Sequence, residues 1–363
     1  VRFRSSETSL SIVIVSLICD KRNDLGRRPR LMRANGNRNT LGEARTSVRR
    51  QRGHGLSDKR ARVEWRGYLP AIVTPFAADG ALDLDGLGAM LEWLHGEGMH
   101  GLVVAGTTGE WTSLSAEERA ILFRAAGAQM AGKLPLLAGC SSFTARETLQ
   151  FAAHAAESGF DGILVTPPPY LRPNDEEIFG FYADISEGTP LPICVYNWPP
   201  GTGIDMPVSL LERLARLENV VAIKQSTSNL QRFVQTFFQL GEQVRIFGHS
   251  MDEHGLTILQ AHGGDGTMGA GGALGRIHAD FYNHLWRGEI AAARECGRKD
   301  RVLLDEWYTQ DLVGRFGSGP AVLKAALTLR GVPAGHVRPP LRDVSQEGIA
   351  VIRDTLVRLG FAV

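Results

Sequence analysis

From Gly67 onward, short apolar runs alternate with longer segments whose apolar residues recur at helical spacing. The runs are Leu69–Pro75, Gly101–Gly106, Leu134–Cys140, Gly162–Pro167, Leu191–Asn197, Val220–Ser226, Val244–His249 and Gly264–Ala270, each closing on glycine or polar residues. Runs this short and apolar predict strands buried on both faces. Ser115-Ala-Glu-Glu118 has capping-box spacing, and Asn174-Asp-Glu-Glu177 places acids in a first helical turn, so both mark helix starts. Strand and helix alternating eight times predict an α/β fold, a parallel sheet closed into a (β/α)8 TIM barrel over residues 67–285. An open doubly wound sheet is the alternative, but it rarely needs eight units of such even length. Glu289–Asp311, Gly319–Leu329 and Val344–Leu359 keep helical patterning, predicting a C-terminal helical extension over residues 286–363.

The sixth run, Val220-Val-Ala-Ile-Lys-Gln-Ser226, contains one charge, Lys224. Strict alternation puts Val220, Ala222 and Lys224 on one face, with Val221 and Ile223 on the other. A lysine buried there must pair with an anion or lose its proton, and burial lowers its pKa. A neutral amine facing a cavity is a nucleophile for ketones. The bland alternative is a lysine at the fraying end of the strand, snorkelling to water.

Charge is unevenly spread. Residues 1–66 carry 17 Lys and Arg against 6 Asp and Glu, and the remainder 23 against 33. The body is therefore acidic, which argues against nucleic-acid binding by it. The basic leader is expected to be a disordered extension or the product of a start placed too far upstream, with an organelle transit peptide as the alternative. Its apolar run Leu10–Cys19 is too short to span a bilayer, so no membrane partner is expected. Cys19, Cys140, Cys194 and Cys296 form no CxxC pair. We read them as free thiols in a reducing, cytoplasmic setting, Cys140 and Cys194 as core residues without a base partner.

In a closed parallel barrel, reactive groups sit at the C-terminal ends of strands. There Gly106-Thr107-Thr108-Gly109-Glu110 offers a tight turn whose amides and hydroxyls suit a carboxylate. Tyr196-Asn197 ends the run beside the Lys224 strand, close enough for the phenol to relay a proton to the amine. A core tyrosine with a satisfied hydroxyl is the ordinary alternative. Gly264-Asp-Gly266-Thr-Met-Gly269 fits GxGxxG, but it lies in the last strand rather than the first, so it reads as close packing, with Met268 at the substrate. Gly248, Ser226, Thr227 and His249 are placed at the cavity mouth by location alone. His249, His254 and His262 lack the spacing of a tight ligand pair, so no metal is assigned.

Gly106-Thr-Thr-Gly-Glu110, Tyr196-Asn197 followed by Pro199, and Ile223-Lys224-Gln225 together resemble the dihydrodipicolinate synthase/N-acetylneuraminate lyase family, from about Tyr68 to the C-terminus. The resemblance implies a homotetramer or homodimer, a pyruvate-type Schiff base on Lys224 and Tyr196 as proton relay. It also implies that Thr107 and Thr108 hold the pyruvyl carboxylate, Thr107 joining the relay. A second tyrosine that crosses a dimer interface in many members is matched by Tyr170, within Pro167-Pro-Pro-Tyr-Leu-Arg-Pro173.

Two departures matter. The lysine-pathway synthases usually carry an arginine where this chain has Gly201, and Gln225 resembles the sialic-acid lyase branch more than the synthases' glutamate. The sequence therefore predicts a class I lyase acting on pyruvate or a 2-keto-3-deoxy sugar acid, by reversible aldol cleavage or dehydration. Its partner is a small 2-oxo acid, and no cofactor beyond the covalent Lys224 imine is required. The alternatives are a 4-hydroxy-tetrahydrodipicolinate synthase using aspartate semialdehyde and a non-catalytic, ligand-sensing barrel.

Overall fold

The computed structural model describes residues 59–269, 271–309 and 313–363; the Leu10–Cys19 run and its Cys19 thiol lie outside them. The strands are β1 Gly67–Tyr68, β2 Leu102–Val104, β3 Leu136–Gly139, β4 Gly162–Val165, β5 Ile193–Asn197, β6 Val220–Gln225, β7 Arg245–Phe247 and β8 Gly266–Thr267. Between and after them lie α1 Leu84–Gly96, α2 Ala116–Met130, α3 Ala145–Glu157, α4 Asp175–Gly188, α5 Val208–Ala215, α6 Leu230–Leu240, α7 Glu253–His262 and α8 Arg276–Trp286. All strand pairs are parallel, in the order β1-β8-β7-β6-β5-β4-β3-β2. A bridge from Ala71 to Val103 joins β1 to β2 and closes the (β/α)8 barrel.

Prolines set where several strands begin. Pro135 and Pro192 have no N–H to donate, so β3 and β5 start just after them, although their carbonyls still accept from Leu102 and Ile163. The first ladder starts two residues before the expected Leu69–Pro75 run, at Gly67. Pro70 cannot donate toward β2, so pairing on that side resumes with the Ile72 amide bonding Val103. Helix starts follow the sequence signals: Ser115 and Asn174 both close reciprocal capping boxes with Glu118 and Glu177.

Side chains from successive strands fill the barrel interior, among them Leu69, Val103, Leu137, Leu164, Cys194, Ala222 and Phe247. The strict alternation expected for β6 fails at its start. The β5–β6 register skips Val221 between the Ile193–Val220 and Cys194–Ala222 pairs, so Val221 joins Ala222 inside while Val220 packs outside. From Ala222 onward alternation resumes, and Lys224 follows Ala222 inward.

Residues 59–66, assigned from composition to a disordered leader, are ordered. A 3-10 turn at Lys59–Arg62 runs beneath the barrel, and Trp65 is buried in the inner cluster. Lys59 donates to Ala215 O at 2.8 Å and also to Leu217 O. Arg60 and Arg245 both pair with buried Asp265, at 2.8 and 2.9 Å. The basic residues here are tied by buried carbonyls and a carboxylate, partners that lie far along the chain and leave no local sequence signal.

Past the barrel, α9 Ile290–Trp307, α10 Gly319–Leu329 and α11 Gln346–Arg358 form the helical extension. The α9 helix stops at Trp307, short of the expected Asp311, where Tyr308 bridges back to Gly314. Among the described residues no helix is long and apolar enough to cross a membrane.

Candidate active site

Lys224 and Tyr196 are direct register partners on β6 and β5. Both side chains turn into the barrel, where the Lys224 Nζ sits 4.1 Å from the centre of the Tyr196 ring. Burial pulls the Lys224 pKa down from 10.5 to about 8. Among the described residues no carboxylate pairs with it, and the titratable group that acts on it is the Cys194 thiol, itself pushed up to about 12 by burial. At pH 7 the amine is therefore mostly protonated, but about a tenth of it is neutral, against well under a thousandth for an ordinary lysine. Burial also raises the Tyr196 phenol, against which the Thr107 and Ser226 hydroxyls act by hydrogen bonding. The phenol thus stays protonated, with two hydroxyls beside it.

Thr107 belongs to the turn that follows β2. Gly106 is buried while Thr107 is exposed and Thr108 half-buried. Two non-glycine residues in left-handed conformation bracket the turn, Ala105 at φ 54° and Glu110 at φ 55°. The Thr74 hydroxyl donates to Gly109 O at 2.7 Å, holding its far side. Met268 lies at the end of β8 in the same inner cluster as Tyr196.

A polar lattice supports β5 and β6 from behind. The Asn197 amide donates to Gln225 Oε1 at 2.7 Å and to Asp205 Oδ1 at 2.8 Å. Gln225 passes the chain on to the Thr236 hydroxyl at 3.0 Å. Asp205 also accepts from Thr227 at 3.1 Å and pairs with Arg232. Gln225 and Thr227 are thus engaged in structure, the former facing away from the chamber.

Two further residues lie outside the chamber of this chain. Tyr170 sits on an exposed loop, 87% accessible, with φ 80°, outside the chamber of its own chain. His249 does not reach the cavity mouth. Alternation from inward-facing Phe247 would turn it inward, but Gly248 has φ 119° and breaks the pattern. The imidazole packs between Phe233 and Phe237 of α6, at ring separations of 5.2 and 5.1 Å, and burial pulls its pKa to about 4. Gly248 itself allows β7 to approach β6: a Cβ there would stand 2.1 Å from Gln225 O. In the GxGxxG stretch, Gly266 and Gly269 are similarly pressed against Gly67 O and the Tyr68 hydroxyl.

Sequence reasoning passed over Trp198. Its indole stacks on the Tyr196 ring, centroids 6.0 Å apart and planes 25° inclined. It also occupies the space beside Gly201, where a Cβ would come within 2.4 Å of the indole. The signal was present in Tyr196-Asn-Trp-Pro199, since an aromatic after a strand end must pack somewhere near it. Among the described residues no three His, Cys, Asp or Glu side chains converge as metal ligands would.

The model of the dihydrodipicolinate synthetase family matches residues 64–358. A 4-hydroxy-tetrahydrodipicolinate synthase from Phenylobacterium zucineum is 34% identical over 297 residues, 80% of this chain and 97% of its own. One from Methanosarcina mazei is 31% identical over 306 residues, covering 82% and 99%. The crystal structure of a dihydrodipicolinate synthase from Thermotoga maritima superposes with a TM-score of 0.74 at 30% identity, covering 82% of this chain and 99% of that one. A barrel of this topology, matched over nearly the full length of its relatives, belongs to the dihydrodipicolinate synthetase family.

Proposed function

We propose that this chain is a Schiff-base lyase acting on pyruvate or a 2-keto-3-deoxy sugar acid. The observation that carries the reading is the buried Lys224 amine, its pKa drawn to about 8, facing the Tyr196 ring inside the barrel. The neutral amine attacks the 2-oxo carbon, and the carbinolamine, protonated on its hydroxyl, loses water to give a protonated imine. That imine draws electrons from C3, so the C3–C4 bond breaks, or the C3 proton is lost and the C4 hydroxyl departs as water. Tyr196, backed by Thr107, moves the protons. Gly106, Thr107 and Thr108 hold the carboxylate, Met268 and Ser226 border the substrate, and no further cofactor takes part.

Tyr170 reaches a neighbouring subunit in this reading, which its near-complete exposure supports. Condensation of pyruvate with aspartate semialdehyde is the second reading, favoured by the names of the relatives. Against it stands Gly201, walled by the Trp198 indole where the synthases usually present a guanidinium.

Borohydride added with pyruvate is expected to leave one pyruvyl adduct on Lys224, read by peptide mass; no adduct removes the imine. Turnover of 2-keto-3-deoxy sugar acids but not of pyruvate with aspartate semialdehyde supports the first reading. The reverse pattern establishes the second.

A further inference from the structure

The turn carrying Thr107 and Thr108 is bracketed by two strained residues, Ala105 and Glu110. Such backbone persists only where its surroundings over-determine it. Glu110 is also buried, and its carboxylate is held almost wholly by the C-terminal helical extension. Lys324 on α10 donates to Glu110 Oε1 at 2.6 Å, with side-chain exposures of 2% and 1%. The backbone N–H of Arg338 donates to Glu110 Oε2 at 3.1 Å. The same ammonium donates to His336 O and lies 4.6 Å from the centre of the Phe76 ring, while the Arg338 guanidinium packs 4.1 Å from that ring. Arg338 then pairs with Glu118 on α2, the helix that follows the turn. The pair thus spans 214 residues of sequence to fix one end of a short loop.

A buried ion pair adds little net stability compared with apolar packing of the same volume, because both charges give up hydration. What it does supply here is orientation: a carboxylate with two donors at set positions cannot rotate, and Glu110 carries the left-handed backbone with it. We propose that Lys324 is a positioning residue, holding the turn through Glu110 so that Thr107 and Thr108 meet the carboxylate of the keto acid. The inference rests on the assignment of that turn to the carboxylate. It makes the helical extension a determinant of keto-acid affinity, although the inner cluster that holds Tyr196 includes no residue of α10.

The test is reductive trapping of Lys224 by borohydride over a range of pyruvate concentrations, read by intact mass, alongside the same titration with acetone, which lacks the carboxylate. The variants are Lys324→Met, Lys324→Arg and the double Glu110→Gln/Lys324→Met. The double variant leaves no stranded charge and keeps the test open if the single one fails to fold. In the folded double variant, half-saturation by pyruvate is expected to rise at least tenfold while trapping still reaches completion and the acetone titration stays put. Lys324→Arg, which keeps the charge, is expected to recover part of the loss. A pyruvate half-saturation that does not move, or one that moves equally for acetone, overturns the proposal. Failure of the wild-type protein to trap pyruvate at all overturns the imine mechanism, and the proposal with it.

Discussion

Replacing Lys224 with methionine should make the protein more stable at neutral pH while abolishing imine formation. The folded-state pKa of Lys224 is depressed from 10.5 to about 8. Below pH 8 the amine is protonated in both folded and unfolded chains, so the folded state bears the full cost of burying an ammonium. Between 8 and 10.5 the folded protein has released that proton and the unfolded chain retains it, so stability rises with pH. Every tenfold change in the acidity of the ammonium corresponds to about 1.4 kcal/mol, which makes the cost at pH 7 about 3 kcal/mol. The Tyr196 ring face 4.1 Å from the Nζ offsets about 1 kcal/mol of this, as cation–π contacts do when desolvated. Methionine fills nearly the same volume without the charge. In urea unfolding followed by circular dichroism, the variant is expected to exceed wild type by about 2–3 kcal/mol at pH 7, the gap shrinking to about 1 kcal/mol or less at pH 10. A gap that does not change with pH, or a variant no more stable than wild type at pH 7, would refute the claim that this amine is held in a desolvated chamber.

Three further outcomes are expected. Tyr196→Phe should lower turnover of whichever keto acid is cleaved by about 10²–10⁴-fold while borohydride still traps pyruvate on Lys224; steady-state kinetics beside intact mass decide it. Gly139→Ala should cost about 3 kcal/mol or prevent accumulation of folded protein, because its Cβ would stand 2.1 Å from Ala105 O just before the threonine turn; thermal melting reads this. Asp265→Ala should cost about 3–5 kcal/mol by stranding buried Arg245 and releasing Arg60, with unfolding midpoints as the measure and wild-type stability as the refuting result.

Much of the barrel was legible because its strands are short runs closed by glycine or proline, and periodicity reads such runs well. That Lys224 and Tyr196 stand side by side was legible for the same reason: each lies at the end of an apolar run, on neighbouring strands. Features set by backbone irregularity were not legible. Val221 enters the core through a register shift, and His249 leaves the cavity because Gly248 turns the chain with a positive φ. Residues paired across long sequence distances were invisible as well. Lys59 and Arg60 looked like part of a basic tail because Leu217 and Asp265, which hold them, are more than 150 positions away. Lys324 had no local signal, since its meaning comes only from Glu110.

The seam of the barrel has a consequence for biogenesis. Gly67 pairs with Gly266, and Arg60 meets Asp265, so neither contact can form until about two hundred further residues have left the ribosome. Seven strands must wait as an open sheet with two unpaired rims, an arrangement that invites association between nascent chains. Slowing translation while β8 is still inside the ribosome should therefore raise the fraction captured by chaperones, whereas slowing it once β8 has emerged should not.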